Sequence, residues 1–526
     1  MPYRILLTHI ILLLLLTGCA YSQQHQAISK VGVSQVKVAY TENYRPQFHF
    51  SPVKNWMNDP NGMVYYDGEY HLFYQYNPYG ITWGHMSWGH AVSRDLIHWK
   101  HLPIALKEEN NVMIFSGSAV VDKNNTSGFG TKTNPPMVAI YTGHHTDKAL
   151  QDQRITYSLD NGRSWTKYKG NPVIDEGLKD FRDPKVFWHQ ASKQWVMVVA
   201  LPTRHKIRFY GSPDLKHWKQ LSEFGPAGAR DGVWECPGLF KLPIDGHPDQ
   251  SKWVLQVDLN PGGPNGGSGS QYFIGVFNGK EFVQDSSTKG QTRWSDYGKD
   301  FYAVQSFSNI PKKDGRRIWI AWMNNWQYGQ QIPTHPWRSA MTIPRSLSLK
   351  TFDDGIHLVQ QPVAELKELR GTHHHFEGKI IDGDSDLLEN AGVSGKLLEI
   401  KARFKVNDAS MLGLKVAKGD QQETLMGYDV DDKNLYVDRT NSGDVSFSDK
   451  FPGIFKAPLS SDDGEITLHI FLDKSSVEVF GNNGRTTLTE RIFPSPDSDG
   501  ISLFTKGGEA ELISLDIWQL HSIWNR

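Results

Sequence analysis

A strand–turn–strand pattern recurs five times in the first two-thirds of this chain, and that repetition limits the fold more than any other feature. Met63–Tyr66, the turn Asp67-Gly68 and Tyr70–Tyr76 make the clearest case. Apolar-rich runs around a turn dipeptide that tolerates left-handed backbone read as a hairpin. Ser118–Val121 with Met137–Tyr141, Lys185–His189 with Gln194–Ala200, Gly238–Leu242 with Lys252–Asp258 and Tyr302–Phe307 with Arg317–Trp322 repeat it. The entrance residues of the five units, Asp59, Ser116, Asp183, Glu235 and Phe301, stand 57, 67, 52 and 66 residues apart. Each interval holds about four short strands, the content of one propeller blade. The spacing predicts a five-bladed β-propeller over residues 45–355. A second marker agrees. Ser93–Trp99 returns as Ser158–Trp165 and as Ser212–Trp218, an Asp-led turn before a Trp, so Asp95, Asp160 and Asp214 read as structural.

After Gln361 the pattern changes. Pro362–Gly371 places Pro at the start of a short helix and Gly after its end, within a linker expected at 356–371. Beyond it, apolar and polar residues alternate strictly. Ile400, Ala402, Phe404 and Val406 face one way and Glu399, Lys401, Arg403 and Lys405 the other; Ile466–Leu472, Val477–Val479 and Leu515–Ile517 repeat the alternation. That is a half-buried antiparallel sheet, read as a β-sandwich over 372–526 with a supporting role. The whole chain is expected to be all-β.

The N-terminus reads as an address. Arg4 precedes an apolar run from Ile5 to Leu16, too short for the roughly 20 residues of a membrane-spanning helix. A basic start followed by a short apolar stretch marks a signal peptide, here 1–18. Leu16-Thr17-Gly18-Cys19 resembles a bacterial lipobox, which implies lipid on Cys19, a tether over 19–44, and a cell-envelope lipoprotein that meets the membrane only through its anchor. Cys236 is then the single remaining cysteine of the two, so no internal disulfide framework exists. Lys+Arg total 56 against 57 Asp+Glu, a balance with no electrostatic footprint for nucleic acid. The oligomeric state is left open.

Asp59, Asp183 and Glu235 each precede the first strand of a unit, and first strands line a propeller's central channel. Equivalent blades would gather the three carboxyls at one mouth. Glycoside hydrolysis needs one carboxylic acid to protonate the leaving oxygen and one carboxylate to attack or activate water, and different surroundings suffice to split their roles. Arg182 is expected to keep Asp183 ionised. Trp234 and Cys236 give Glu235 an apolar setting that favours its protonated form. The amides around Asp59 favour its carboxylate. Asp59 therefore reads as nucleophile, Glu235 as acid/base, and Asp183 as a carboxylate that binds sugar hydroxyls. The 17 Trp residues suit a sugar site, because aromatic faces stack on sugars.

Trp56-Met57-Asn58-Asp59-Pro60-Asn61-Gly62, Phe181-Arg182-Asp183-Pro184 and Trp234-Glu235-Cys236-Pro237 together resemble the three signatures of glycoside hydrolase family 32, the invertase, inulinase and levanase group. The resemblance runs from about residue 45 to the C-terminus. It implies a five-bladed propeller followed by a sandwich, and retaining hydrolysis of β-D-fructofuranosides in fructans or sucrose, with the same three catalytic assignments. By local match it also implies substrate-binding roles for Trp56, Asn58, Gln75, Trp83, Phe115, Ser116, Arg182 and Trp326. Gly238 stands where many relatives carry Asp, which unsettles the aglycone side. Phe115–Gly130 and Gln151–Gln153 look most like exo-acting fructanases, so fructose release from chain ends is preferred to endo-cleavage.

Other signals are set aside. Gly262–Gly269 lacks the Lys-Ser/Thr of a phosphate loop. His144-His145 and His373-His374-His375 show neither helical spacing nor carboxylate partners in the sequence, so no metal and no cofactor is expected. The Asp-led turns also occur in sialidases, but the arginine cluster and Tyr–Glu pair of that chemistry are missing. A non-catalytic glycan-binding lipoprotein would need the aromatics and not three placed acids.

Overall fold

The computed structural model describes residues 39–524. The expected signal peptide, Cys19 and most of the expected tether lie outside the described residues. Among the described residues the chain is already packed at Tyr40, before the expected tether end at 44. Tyr40 stacks on Trp524 at 4.0 Å, and Ser475 Oγ donates to the Tyr44 carbonyl at 2.8 Å. Two aromatic rings at the end of the polar stretch are apolar surface that water would leave exposed, so they dock.

Five four-stranded antiparallel blades surround a channel. Their innermost strands are Asn55–Tyr66, Val112–Val121, Arg182–His189, Val233–Ile244 and Tyr302–Ser306, and these touch one another in a closed ring. All five predicted hairpins are paired strands. Trp337–Arg338 returns from blade five to pair in parallel with Asn55–Trp56, which closes the ring. The blades stack through shared cores. In Gln194–Leu201, Met197 and Val199 pack on Val138 and Ile140 of blade two. Val196 and Val198 pack on Leu255 and Val257 of blade four. This is why the strand is apolar on both faces: each buried side chain of this size contributes about 1.5–3 kcal/mol. The Asp-led turns end third strands. Asp95 Oδ1 accepts from the Ile97 and His98 amides at 3.1 and 2.8 Å, and Asp214 repeats this with Lys216 and His217 at 3.0 and 2.9 Å.

The expected linker is largely strand. Gly355–Pro362 pairs in full register with Arg345–Phe352 as the outer strand of blade five. The turn Asp353-Asp354-Gly355 makes that hairpin, a signal the helix reading overlooked. The short helix is a 3-10 segment, Ala364–Leu369, and the first sandwich strand begins at Arg370. In the sandwich, Gly500–Leu520 runs through both layers, pairing with Met411–Gly419 along its first half and with Leu398–Val406 along its second. The crossing falls at Gly507 and Gly508, whose φ values of 72° and 146° suit glycine. The predicted inward residues form one core. Glu399, expected to face water, is only 2% exposed; Arg370 and His469 hold its carboxylate at 2.6–2.8 Å.

Propeller and sandwich meet through buried charge. Arg345 of blade five donates to Asp296 at 2.9 Å and to Glu478 of the sandwich through Nε and a terminal nitrogen. His49 bridges Glu478 and Asp473 at 2.9 and 2.8 Å. All five side chains are fully buried.

Candidate active site

The innermost strand of every blade carries a β-bulge at one end of the channel. Asn58-Asp59 opposes Gln75, Phe115-Ser116 opposes Thr142, Asp183-Pro184 opposes Val199, Cys236-Pro237 opposes Val257, and Ala303-Val304 opposes Ala321. Two residues facing one re-aim the side chains there. Asp183, Cys236 and Ala303 adopt left-handed backbone, with φ of 66°, 45° and 52°. Pro184 and Pro237 sit inside their bulges, where the ladder does not require every N–H, and Pro60 directly follows its own. The acids are not in strict register: Asp59 is the second residue of its bulge, Asp183 the first, and Glu235 the residue before.

These bulges bring Asp59, Asp183 and Glu235 into one cavity of about 450 Å³. Asn58, Gln75, Trp83, Phe115, Ser116, Arg182 and Trp326 also line it. Trp56, expected to touch substrate, does not. It is fully buried behind the wall, where its Nε1 donates to Asn58 Oδ1 at 2.7 Å and its ring packs on Trp322 and Trp326. It positions Asn58, whose Nδ2 donates to Asp59 Oδ1 at 2.9 Å. Ser116 Oγ donates to Asp59 Oδ2 at 2.5 Å. The Cys236 amide donates to Asp183 Oδ2 at 3.0 Å.

Two expected environments differ. Arg182 spends its short contacts on Glu235 Oε1, at 2.9–3.0 Å, and stands 4.0 Å from Asp183 Oδ2. Burial outweighs its pull and holds the Asp183 carboxyl above the ordinary carboxylate range. Glu235 is not in an apolar setting. Neighbouring strand residues point to opposite faces, so Trp234 enters the core between blades three and four. Glu235 instead meets Arg182 and, at Oε2, the Tyr302 hydroxyl. Asp59 is raised by burial and, more weakly, by Glu235, against the lowering effect of Ser116 and Asn58.

Sequence reasoning missed several members of this site. Val233, Asn260 and Gln330 line the cavity, and Tyr302 holds Glu235. Tyr302 follows the fifth-blade landmark Phe301, so the repeat itself pointed to it. Asn260 and Gln330 lie at a strand end and in a loop, where no periodicity marks them. His144, set aside as a metal candidate, stacks on Phe115 at 4.4 Å in the cavity wall.

A propeller whose blades present three carboxyls and several aromatic rings to one sugar-sized hollow defines a carboxylate glycosidase. Residues 49–362 match the N-terminal domain of glycosyl hydrolases family 32 and residues 365–519 its C-terminal domain; the chain belongs to this family. It is 52% identical over 490 residues to a levanase of Bacillus subtilis (strain 168), covering 92% of this chain and 72% of that protein. It is 45% identical over 520 residues to an extracellular exo-inulinase of Aspergillus ficuum, covering 92% and 96%. The crystal structure of exo-inulinase from Aspergillus awamori superposes with a TM-score of 0.87 at 43% identity, covering 92% of this chain and 100% of that one.

Proposed function

We propose that this chain is an exo-acting β-fructofuranosidase that releases fructose from the ends of levan or inulin and from sucrose. The observation that carries the reading is the convergence of Asp59, Asp183 and Glu235 from three blades on one cavity. Its volume of about 450 Å³ lies toward the small end of ligand sites, which suits a chain end better than the middle of a polymer. The Aspergillus ficuum relative is named for exo action on inulin and the Bacillus subtilis relative for levan, which supports the reading.

In this mechanism Asp59 attacks the anomeric carbon of the terminal fructosyl unit while Glu235 gives its proton to the departing glycosidic oxygen. The glycosidic bond breaks and an ester to Asp59 forms. Glu235, now a carboxylate, takes a proton from water, which displaces Asp59 and restores the starting configuration. Asp183 holds ring hydroxyls and opposes the positive charge of the oxocarbenium-like state. Arg182 and Tyr302 fix the Glu235 carboxyl between them. Asn58, Gln75, Trp83, Phe115, Ser116 and Trp326 position the sugar.

Product analysis on levan, inulin and sucrose tests the whole reading: fructose is the expected sole early product from the polymers, released as the β-anomer. Early oligosaccharides would replace the exo reading by an endo one; an α-anomer would remove Asp59 as nucleophile. Export and lipid attachment at Cys19 belong to the same proposal. A Cys19→Ala protein is expected in the soluble rather than the membrane fraction, and an unchanged distribution would reject the anchor.

Ser116 supplies a pH test. Asp59 must be ionised to attack, and the Ser116 hydroxyl stabilises that form. Ser116→Ala is expected to raise the Asp59 carboxyl further and to move the acid limb of kcat/KM to higher pH. A limb that stays in place would separate that limb from Asp59.

A further inference from the structure

His373-His374-His375 lies in the edge strand Arg370–Ser385 of the sandwich, not in a turn. Alternation puts His373 and His375 on one face and His374 on the other. The paired strand supplies the carboxylate that the sequence did not place beside them, since His375 stands directly opposite Asp516. His373 Nε2 and His375 Nδ1 each lie 2.8 Å from the same oxygen, Asp516 Oδ1. One donor atom from each residue falls within 4.8 Å of the others.

We propose that His373, His375 and Asp516 form a binding site for one divalent transition-metal ion of the zinc type. Two imidazoles and a carboxylate are a donor set for zinc and its borderline neighbours; calcium and magnesium take oxygen donors. Donors at 2.0–2.1 Å on a tetrahedral ion stand roughly 3.4 Å apart, so small side-chain shifts admit the ion. The orientation is already set. His373 stacks on Trp518 at 4.6 Å with a 4° tilt. His375 Nε2, the nitrogen not turned to Asp516, lies 3.4 Å from Glu377 Oε2, the carboxylate support that metal-bound histidines commonly have. The three side chains are 43%, 46% and 27% exposed, which leaves an entry path and room for a water as fourth ligand. Two cations flank the site: Lys401 pairs with Asp516 from the other side, and Arg370 lies over Trp518 at 3.7 Å. The charge of Arg370 is already paired with Glu399 at 2.6 Å. An ion here clips the edge strand to its neighbour, on a different domain from the cavity.

The test is titration of the chelator-stripped full-length protein with zinc chloride by calorimetry, and with cobalt(II) by absorption. One equivalent is expected to bind, with cobalt bands of tetrahedral intensity. His375→Ala and Asp516→Asn are expected to weaken binding more than tenfold, Glu377→Gln by roughly tenfold, and His374→Ala not at all. Hydrolysis of sucrose should be equal in all four variants, which also reports that each is folded. Absence of saturable binding, or affinity unchanged in a His373→Ala, His375→Ala double variant, would overturn the site without touching the fructosidase reading.

Discussion

Asp59→Asn is expected to lower kcat on sucrose, levan and inulin by about 10⁴–10⁶-fold, the scale on which losing a nucleophile acts. The amide keeps the size of the carboxyl and its place beside Ser116 and Asn58, so sugar binding should survive. Glu235→Gln is expected to fall by roughly 10²–10⁴-fold, and to recover toward normal on a fructoside whose leaving group departs without protonation. Arg182 and Tyr302 hold Glu235 from two sides, so the substituted side chain stays in place and the loss reports chemistry. Steady-state and single-turnover kinetics on both variants separate the two roles. If Asp59→Asn kept a tenth of the parent activity, the assignment would fail. A glycan-binding protein without catalysis would show no difference at all.

The second large effect concerns stability. Arg345→Met is expected to destabilise the protein by about 3–5 kcal/mol, because it leaves the buried Asp296 carboxylate without its cation and Glu478 with His49 alone. Both lie where propeller meets sandwich, so the loss should appear as weaker coupling between the domains and an earlier melting transition. Glu478 is held below its ordinary pKa: burial opposes this, and Arg345 and His49 outweigh it. Its share of stability is therefore present above the usual glutamate range and is lost as pH falls through its lowered value. The exposed pair Arg403–Glu465, 52% and 32% exposed, is the control: Arg403→Ala should cost no more than about 1 kcal/mol. Calorimetric melting of both variants decides. Equal shifts would mean that the buried network contributes nothing special.

Much of the fold was legible because its signals are local. Turn dipeptides, apolar runs and Asp-led turns recur at blade length, and all five predicted hairpins are there. The linker was misread only over 356–362, where the Asp353-Asp354-Gly355 hairpin carries the chain one strand further; the short helix between Pro362 and Gly371 is there as a 3-10 segment. Among the site residues, motif proximity placed ten of the eleven candidates on the cavity and failed at Trp56. A motif says which residues are near one another in the chain and not which face each takes. The same limit reversed the surroundings of Glu235: Trp234 points away into the core, and Arg182 and Tyr302, which hold its carboxyl, come from blades three and five. It also hid the partner of His373 and His375, which lies more than 140 residues on.

By itself the sequence determined a repeating β architecture, an alternating second domain, and three acids spaced one to each of three blades. Periodicity and turn chemistry are properties of short segments, and short segments carry them in any context. Only the tertiary structure decided which acid meets which cation, which tryptophan lines the hollow and which supports it, and where a histidine pair finds its carboxylate. Those outcomes depend on bulges that turn single side chains and on strands that meet across long stretches of chain. Burial and charge then act between groups the backbone order keeps far apart.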